Sequence, residues 1–235
     1  MEQFQEQTKS RTYCRINGTH LKWVALWTML IDHIGFVLLQ EAVSVPTAVY
    51  TICRGIGRIS FPIFCFLLVE GFWHTGNVRK YLLRLILFAL LAEIPYNLAI
   101  NGKLIDLSGQ NVLFAFVIGV GMMWVLRTWN TGLGPVGEAV ILVMAMVVCA
   151  AVRADYSYFG PLLIYILYRW HEVPWKRNVI MAALLFWEPM ALWSIPIIQC
   201  YNGERGKGHK YFFYWFYPVH LLCLWAVYHI VMLAR

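Results

Sequence analysis

Ionisable side chains interrupt the apolar stretches of this sequence. Asp32 and His33 lie in one such stretch, Arg54 and Arg58 lie in the next, and Glu93 lies in a third. A charged side chain at the centre of a membrane costs about 2.5–3.5 kcal/mol on insertion scales. Each of these residues therefore indicates either a structural ion pair or a functional site.

His33 is suited to acid–base chemistry because an imidazole titrates near neutral pH. Lys22 precedes it on the same predicted helix, and at about 100° per residue the two share one face, about 16 Å apart along the axis. A long substrate could keep its phosphates at Lys22 and bring its reactive end to His33. The spacing also fits a lysine that reaches the membrane surface and a histidine that is hydrogen-bonded for packing.

Arg54 and Arg58 are four residues apart and so share a helical face. Asp32 should lie at the same depth as Arg54, because the two helices are joined by a short loop. A buried Asp–Arg pair is one interpretation, and an arginine that holds a substrate oxyanion is the other. Glu93 and Asn111 are expected at a similar depth, which would complete a mixed polar cluster.

A second polar layer is predicted towards the other end of these helices. Glu70 and His74 are four residues apart and share a face. The basic residues expected beside them are Lys22, Arg79, Lys80 and Arg84. A simple membrane scaffold would need neither polar layer.

The last apolar stretch opens with seven consecutive aromatic residues, 211–217, and continues through Pro218 to His220. Such a run at a membrane boundary is first of all typical of an interfacial aromatic belt. Pro218 should bend the helix and leave one carbonyl unpaired. In the alternative interpretation, Tyr217 or His220 lines the same cavity as His33.

Apolar stretches dominate the elements that must position these residues. Of 235 residues, 60% are hydrophobic and 13% are charged, whereas a soluble domain is about half apolar and about a quarter charged. The stretches of spanning length are 21–39, 47–73, 78–99, 111–129, 135–152, 156–171, 177–200 and 211–233. We therefore predict an all-α, polytopic transmembrane bundle of about eight helices. Residues 1–20 would form a cytoplasmic tail, and residues 21–235 one transmembrane domain.

The net charge of +7 predicts topology rather than a nucleic-acid partner, since no basic stripe interleaves with aromatics on a polar segment. With a cytoplasmic N-terminus, twelve Lys and Arg residues fall on the inner side and five on the outer side. This bias predicts that both termini are cytoplasmic. The six cysteines lack CxxC spacing and mostly lie in apolar runs, so we expect core residues, with no disulfide framework and no metal site.

Loop 201–210 departs from this bias, because it carries Arg205, Lys207 and Lys210 on the nominally outer side. It is either an outer hairpin that the rule tolerates or the end of a re-entrant segment. Glu188 and Pro189 interrupt the seventh stretch near its middle, which would permit the second interpretation. Irregular backbone at membrane depth must line a cavity or be buried in protein.

Several motifs together resemble the TraX family, whose namesake acetylates conjugative F-pilin. They are Leu21-Lys22, Met29-Leu30-Ile31-Asp32-His33-Ile34-Gly35, Gly57-Arg58-Ile59-Ser60-Phe61-Pro62, Glu70-Gly71-Phe72, Glu93-Ile94-Pro95, Asn111-Val112-Leu113-Phe114, Tyr201-Asn202-Gly203 and Phe216-Tyr217-Pro218-Val219-His220. The family is in turn similar to larger membrane acyltransferases that acetylate cell-surface sugars and heparan sulfate. Those commonly carry a basic residue separated by ten residues from a functional histidine, an arrangement that Lys22 and His33 resemble.

The resemblance implies a transmembrane acetyltransferase of the bacterial inner membrane with a cytoplasmic N-terminus. His33 would be the general base on the acceptor, or would itself carry the acetyl group. Arg58 or Arg54 would stabilise the tetrahedral oxyanion. Asp32 and Glu93 would hold those arginines in place.

The implied donor is acetyl-CoA, bound from the cytoplasm, and no metal is needed. Its predicted binding residues are Lys22, Glu70, His74, Arg79, Lys80, Arg84 and Asn111. The other partners would be membrane lipids and an extracytoplasmic amine or hydroxyl, on a pilin-like N-terminus or a cell-surface glycan. The competing hypothesis is a proton-coupled transporter with an intramembrane Asp/His/Glu relay.

Overall fold

The computed structural model describes residues 16–39, 45–129, 134–208 and 210–234, and these are helical, without a β-sheet. The predicted all-α class is confirmed. The helices are α1 (Gly18–Ile34, continued by a π-helical turn, Gly35–Leu39), α2 (Thr47–Gly57), α3 (Ser60–Trp73), α4 (Val78–Tyr96, continued by a π-helical turn, Asn97–Asn101), α5 (Val112–Thr128), α6 (Gly134–Val152), α7 (Phe159–Arg169), α8 (Pro174–Leu184), a 3-10 turn (Pro189–Trp193), α9 (Ser194–Gln199) and α10 (Lys210–Leu233). Most of the predicted tail, together with Cys14, lies outside the described residues.

Within the part of the chain that the structure describes, five helical segments are long and apolar enough to cross a membrane. They are Gly18–Leu39, Thr47–Trp73, Val78–Asn101, Gly134–Val152 and Tyr211–Leu233. Helices α5 and α7 are apolar but shorter. Large apolar side chains remain exposed along the long helices, as lipid-facing positions require. The chain is therefore a membrane protein.

Helix α1 begins with a capping box. The side chain of Asn17 accepts hydrogen bonds from the backbone N–H groups of Thr19 and His20, and the ring of His20 accepts from the N–H of Asn17. These contacts satisfy N–H groups that the first turn leaves unpaired. The helix thus starts within the predicted tail, and side-chain caps hold its first turn in place.

Loop 201–208 packs on this helix start. The N–H of Gly18 donates to the carbonyl of Glu204 at 2.8 Å, and the hydroxyl of Thr19 donates to the carbonyl of Arg205 at 3.3 Å. Gly206 has a φ of +72°, and a side chain there would also collide with Asn17. The loop therefore lies at the same end of the bundle as the start of α1.

The seventh apolar stretch does not cross the bundle as one helix. It runs into the bundle as α8 and breaks at Glu188 and Pro189 beside α2, where Met190 packs against Gly55. It then returns towards the end from which α8 started, as the 3-10 turn and α9. The break predicted at this position is confirmed. Tyr201 then pairs with Ile16 next to the start of α1. The segment is re-entrant, so of the two interpretations left open for loop 201–210 the structure supports the second.

Helix α10 consequently runs parallel to α1. At one level Lys22 Nζ lies 5.0 Å from the ring of Phe213, and deeper in the bundle His33 contacts His220. The described helices therefore begin and end at opposite ends of the bundle. For the described part of the chain this departs from the prediction that both ends lie on one side, because that prediction counted the re-entrant segment as a crossing.

This topology concentrates the basic residues further. Ten Lys and Arg residues of the described chain lie at the end where α1 starts, which we call the basic end: Lys22, Arg79, Lys80, Arg84, Arg127, Arg169, Lys176, Arg177, Arg205 and Lys207. Lys103 and Arg153 lie at the opposite end, and Arg54 and Arg58 lie between. The corrected topology satisfies the positive-inside bias better than the predicted one.

Cysteine labelling tests the topology. In a variant without native cysteines, Lys207→Cys should react with an impermeant maleimide only from the side on which Lys80→Cys reacts. Lys103→Cys should react only from the other side, and all three positions are exposed. Intact and permeabilised cells separate the two sides. Labelling of Lys207→Cys together with Lys103→Cys would contradict the re-entrant segment.

Candidate functional site

A cavity of about 530 Å³ extends inward from the basic end between α1, α3, α4, α5 and α10. Its wall follows α1 from Gly18 to Met29, a distance of about 16 Å at 1.5 Å per residue. The deeper wall is apolar and ends at Val112, Leu113 and Tyr217. The volume falls within the range of about 300–1,000 Å³ typical of ligand pockets.

Polar and basic side chains line the mouth of the cavity: Lys22, Glu70, His74, Arg84 and Arg205. The buried Nε of Arg84 has no hydrogen-bond partner among the described residues. A buried donor without a partner is costly, and an anionic ligand in the cavity could supply one. The mouth thus combines net positive charge with an unsatisfied donor.

Four of the seven predicted donor-binding residues lie at this mouth, namely Lys22, Glu70, His74 and Arg84. The other three do not line the cavity: Arg79 packs over the ring of Trp124, Lys80 is exposed, and Asn111 is buried at the deep end. Arg205 was not among the predicted donor-binding residues, because the sequence left open the side on which its loop lies. Its three basic residues were the available signal.

Glu70 organises one wall of the mouth. Its Oε1 accepts a 2.6 Å hydrogen bond from Nε2 of His171, and its backbone carbonyl accepts one from Nδ1 of His74 at 2.8 Å. Burial lowers the pKa of His171, but its bonds to Glu70 and Glu172 outweigh this and raise the pKa above its usual range. Glu70 is therefore held by a neighbouring helix end.

His33 lies just beyond the deep end of the cavity. Its ring centroid is 6.3 Å from that of Tyr217, which lines the cavity, and its Nδ1 is 2.7 Å from Nε2 of His220. The structure thus brings His33 close to Tyr217 and His220, the three residues named in the alternative interpretation of the aromatic run. The cavity therefore runs from the basic end to Tyr217, and the histidine pair lies just beyond it.

Asp32 pairs with Arg54, as one interpretation of the sequence predicted. Arg54 Nη1 lies 2.8 Å from Asp32 Oδ1, and the two side chains are 24% and 19% exposed. Gly57 makes this possible, because a Cβ there would collide with the side chain of Asp32. Small residues let membrane helices approach closely, so α1 and α2 bring the ion pair next to His33.

Arg58 has different partners, which sequence reasoning did not predict. Its Nε lies 3.7 Å from a carboxylate oxygen of Glu188 at the re-entrant break, and it hydrogen-bonds to Tyr156. Tyr156 stacks on Phe61 with ring centroids 3.5 Å apart. Asp155 lies close enough to interact with Arg58 electrostatically. Arg58 thus interacts both with the loop that carries Asp155 and Tyr156 and with the re-entrant segment.

The loop that carries Asp155 and Tyr156 is strained. Arg153, Tyr156 and Ser157 have φ values of 58°, 61° and 41°, although none is glycine. Residues with side chains rarely adopt this left-handed region, and such strain clusters at functional sites. This strain could not be predicted from the residue types, because glycine or asparagine is the usual marker of such positions.

Glu93 does not hold an arginine, and that prediction is wrong. Its carboxylate accepts hydrogen bonds from the side-chain amide and the backbone N–H of Asn111, and it also bonds to Asn97. Asn111 donates in addition to the carbonyl of Ala89 at 2.9 Å. Glu93 and Asn111 therefore join α4 to the start of α5, at the depth expected for them.

These features define an all-α membrane protein whose cavity leads from a basic mouth to a pair of histidines. A profile of the family described as TraX protein matches residues 17–228. The chain belongs to the TraX family, as its motifs predicted. The likeness to larger membrane acyltransferases stays a prediction.

A curated relative covers almost the same length. The chain is 28% identical over 236 residues to a probable fimbrial assembly protein FimC, serogroup H1, of Dichelobacter nodosus. The alignment covers 87% of this chain and 92% of the relative. No solved structure matches the chain.

The Asp32–Arg54 pair predicts coupled effects on stability. Asp32→Ala should lower the unfolding free energy by roughly 1–3 kcal/mol, between the values for exposed and buried pairs, because it strands Arg54 in a partly buried position. Asp32→Ala combined with Arg54→Met should recover part of that loss. Unfolding in detergent measures both.

Lys103 provides the matched control, since it pairs with Asp106 but its own side chain is 68% exposed, and Lys103→Ala should have no measurable effect. A double variant as unstable as Asp32→Ala alone would show that Asp32 and Arg54 do not stabilise one another.

Proposed function

We propose that this protein is a transmembrane acetyltransferase of the bacterial inner membrane. It transfers an acetyl group from acetyl-CoA at the basic end to an acceptor presented at the opposite end. The observation that carries the proposal is the cavity, which starts among cations and stops beside His33. Fixed positive charge at one end and a proton acceptor at the other fit a long, phosphate-bearing donor.

The basic end would face the cytoplasm, where acetyl-CoA is made, in accordance with the positive-inside bias. The phosphates of the donor would lie against Lys22, Arg84 and Arg205, and one would supply the acceptor that Nε of Arg84 lacks. Charge-assisted hydrogen bonds of this kind are about twice as strong as neutral ones. The narrow, largely apolar interior suits the pantetheine arm and leads the thioester to His33.

The chemistry needs one proton acceptor and one oxyanion site. The acceptor nitrogen attacks the thioester carbonyl and His33 takes a proton from it, so that a C–N bond forms. The tetrahedral intermediate then expels the thiolate of coenzyme A, and His33 returns the proton to the sulfur. Arg54 lies within electrostatic reach of His33 and would stabilise the oxyanion where water is scarce.

The far side of the site supports an amine acceptor. Asp155 and Glu188 both lie near Arg58, and carboxylates there would attract an ammonium group before it loses its proton. A relative named as a fimbrial assembly protein makes the terminal amine of a pilin-like subunit the acceptor that we favour. A neutral hydroxyl on a glycan would gain no charge attraction from these carboxylates.

A proton-coupled transporter is the second candidate, and the re-entrant segment favours it, since broken helices at membrane depth also occur in transporters. The two proposals differ in what they consume. A transporter moves its substrate without acetyl-CoA, whereas the enzyme leaves an acetylated product.

Sealed vesicles test the proposed function and its sidedness. Right-side-out membrane vesicles loaded with radiolabelled acetyl-CoA should acetylate an impermeant peptide with a free amino terminus added outside. A peptide with a blocked amino terminus should remain unlabelled, and donor supplied only outside should fail. His33→Gln should lower the rate about 10²–10⁴-fold, the usual contribution of a general base.

Label incorporation that persists in His33→Gln vesicles would contradict the assigned base. Peptide uptake without acetylation would favour the transporter. Activity only with both substrates in one compartment would contradict the division across the membrane, while the enzyme assignment would stand.

Donor binding at the mouth predicts a split in the kinetics. Arg84→Gln should raise KM for acetyl-CoA about tenfold, because a hydrogen bond to a charged group contributes about 1.5–3 kcal/mol. Lys22→Gln and Arg205→Gln should act in the same direction and make KM less dependent on salt. The matched controls are Arg79→Gln and Lys80→Gln, which lie at the same end outside the cavity. Equal effects in both sets would contradict this binding site.

A further inference from the structure

We propose that His220 is a positioning residue that holds His33 in one tautomer, with its hydrogen on Nδ1 and its lone pair on Nε2. Nε2 of His33 is then the atom that takes the proton from the acceptor. This inference rests on the proposed function for its consequence, but the tautomer itself is a property of the resting protein.

One hydrogen-bonding partner of His220 is a backbone carbonyl, which can act only as an acceptor. The carbonyl of Phe216 only accepts hydrogen bonds, and it lies 2.7 Å from Nδ1 of His220. Nδ1 of His220 must therefore carry a hydrogen and donate it. In a neutral imidazole one nitrogen donates and the other accepts, so Nε2 of a neutral His220 is an acceptor.

The acceptor role of His220 Nε2 determines which nitrogen of His33 carries a hydrogen. Its Nδ1 lies 2.7 Å from Nε2 of His220, and the planes of the two rings differ by 18°. Two lone pairs at this distance would repel each other, and so would two hydrogens. One hydrogen must lie between the nitrogens, and because Nε2 of His220 accepts, Nδ1 of His33 donates. A neutral His33 therefore has its lone pair on Nε2.

The surroundings hold His220 in this orientation. Its ring stacks on that of Phe216 with centroids 5.0 Å apart, and the residue is 6% exposed. Pro218 lies inside the helix between the two. The other groups that face His33 are Tyr217, at a ring-centroid distance of 6.3 Å, and Arg54, within electrostatic reach.

The arrangement also serves the charged state. When Nε2 of His33 takes a proton, Nδ1–H still donates to His220, so the positive charge gains a charge-assisted hydrogen bond without any rotation of either ring. A carboxylate performs the same service for the histidine of serine proteases, where loss of the correct tautomer lowers kcat about 10⁴-fold. Here a neutral imidazole, fixed by a backbone carbonyl, would take that part.

Nitrogen NMR of isotopically labelled histidines tests the tautomer without any assay. His33→Gln identifies the His33 signals in the spectrum of the full chain in lipid. The neutral His33 should show a protonated Nδ1 and an unprotonated Nε2, and His220→Phe should shift His33 towards the mixture of tautomers found in a free imidazole. A protonated Nε2 in the wild type, or an unchanged tautomer in His220→Phe, would overturn the proposal.

Activity provides the second readout. His220→Phe keeps a ring of similar size but no acceptor, so kcat should fall about 10²–10⁴-fold while KM for acetyl-CoA stays unchanged. His220→Gln restores an acceptor and should be about tenfold more active than His220→Phe, as expected for one hydrogen bond. Equal losses in both variants, or a change confined to KM, would contradict a positioning role.

His229 is the matched control on the same helix. Its Nδ1 donates to the carbonyl of Trp225 at 3.0 Å, four residues earlier, just as His220 donates to Phe216. His229 is exposed, and His229→Phe should leave the activity and the His33 tautomer unchanged. If the wild type has the predicted tautomer but transfers no acetyl group, the proposed function fails and the positioning by His220 stands.

Discussion

The contact between the start of α1 and loop 201–208 determines the arrangement of the functional residues. Because Gly18 donates to the carbonyl of Glu204, the loop must return to the end of the bundle where the chain first becomes helical. Helix α10 then runs parallel to α1, and its His220 reaches the depth of His33. The same contact brings Arg205 to the cavity mouth. An additional crossing in place of the re-entrant segment would have reversed α10 and separated all of these groups.

Two polar layers follow from this topology, and their charges are balanced in different ways. In the deeper layer Asp32 pairs with Arg54, so a fixed ion pair lies beside an imidazole. At the mouth Glu70 is held by His171, which leaves the cations without a carboxylate partner of their own in the cavity wall. The unpaired Nε of Arg84 shows the result of this imbalance. In the deep layer the charge of Asp32 is balanced by Arg54, although Oε1 of Glu93 has no hydrogen-bond partner among the described residues, whereas the mouth is suited to an anion.

Helical periodicity predicted the features that depend on neighbouring residues or adjacent helices. The common depth of Asp32 and Arg54 and the interruption at Glu188 were read from spacing and from proline, and the structure confirms both. The role given to Glu93 failed, because two side chains at one depth need not share a face, and the amide of Asn111 was nearer than any arginine. Depth follows from sequence position, but the direction of a side chain depends on how helices rotate against one another.

The re-entrant segment and the strained loop were harder to predict for a different reason. A hydrophobic stretch of spanning length has the same composition whether it crosses the bundle or turns back, and a break such as Glu188-Pro189 permits either course, so the flanking charges are needed to distinguish the two cases. The left-handed residues at 153, 156 and 157 carry ordinary side chains, so their conformation is imposed by tertiary contacts such as the stacking of Tyr156 on Phe61. Sequence patterns indicate the local preference of the backbone, whereas tertiary contacts override that preference at these three positions.

The shape of the cavity bears on why a membrane acetyltransferase would place its base at depth. Moving a whole coenzyme A through the bilayer would require its phosphates to leave water, at a cost of several kcal/mol for each charge. Under the proposed function, a cavity that ends at Tyr217 next to His33 would remove that requirement, since the phosphates would remain at Lys22 and Arg84 while only the thioester approached the histidine. The acetyl group is small and uncharged and would become part of the acceptor in the reaction itself. The transfer of the group and its passage across the membrane would then be one chemical step.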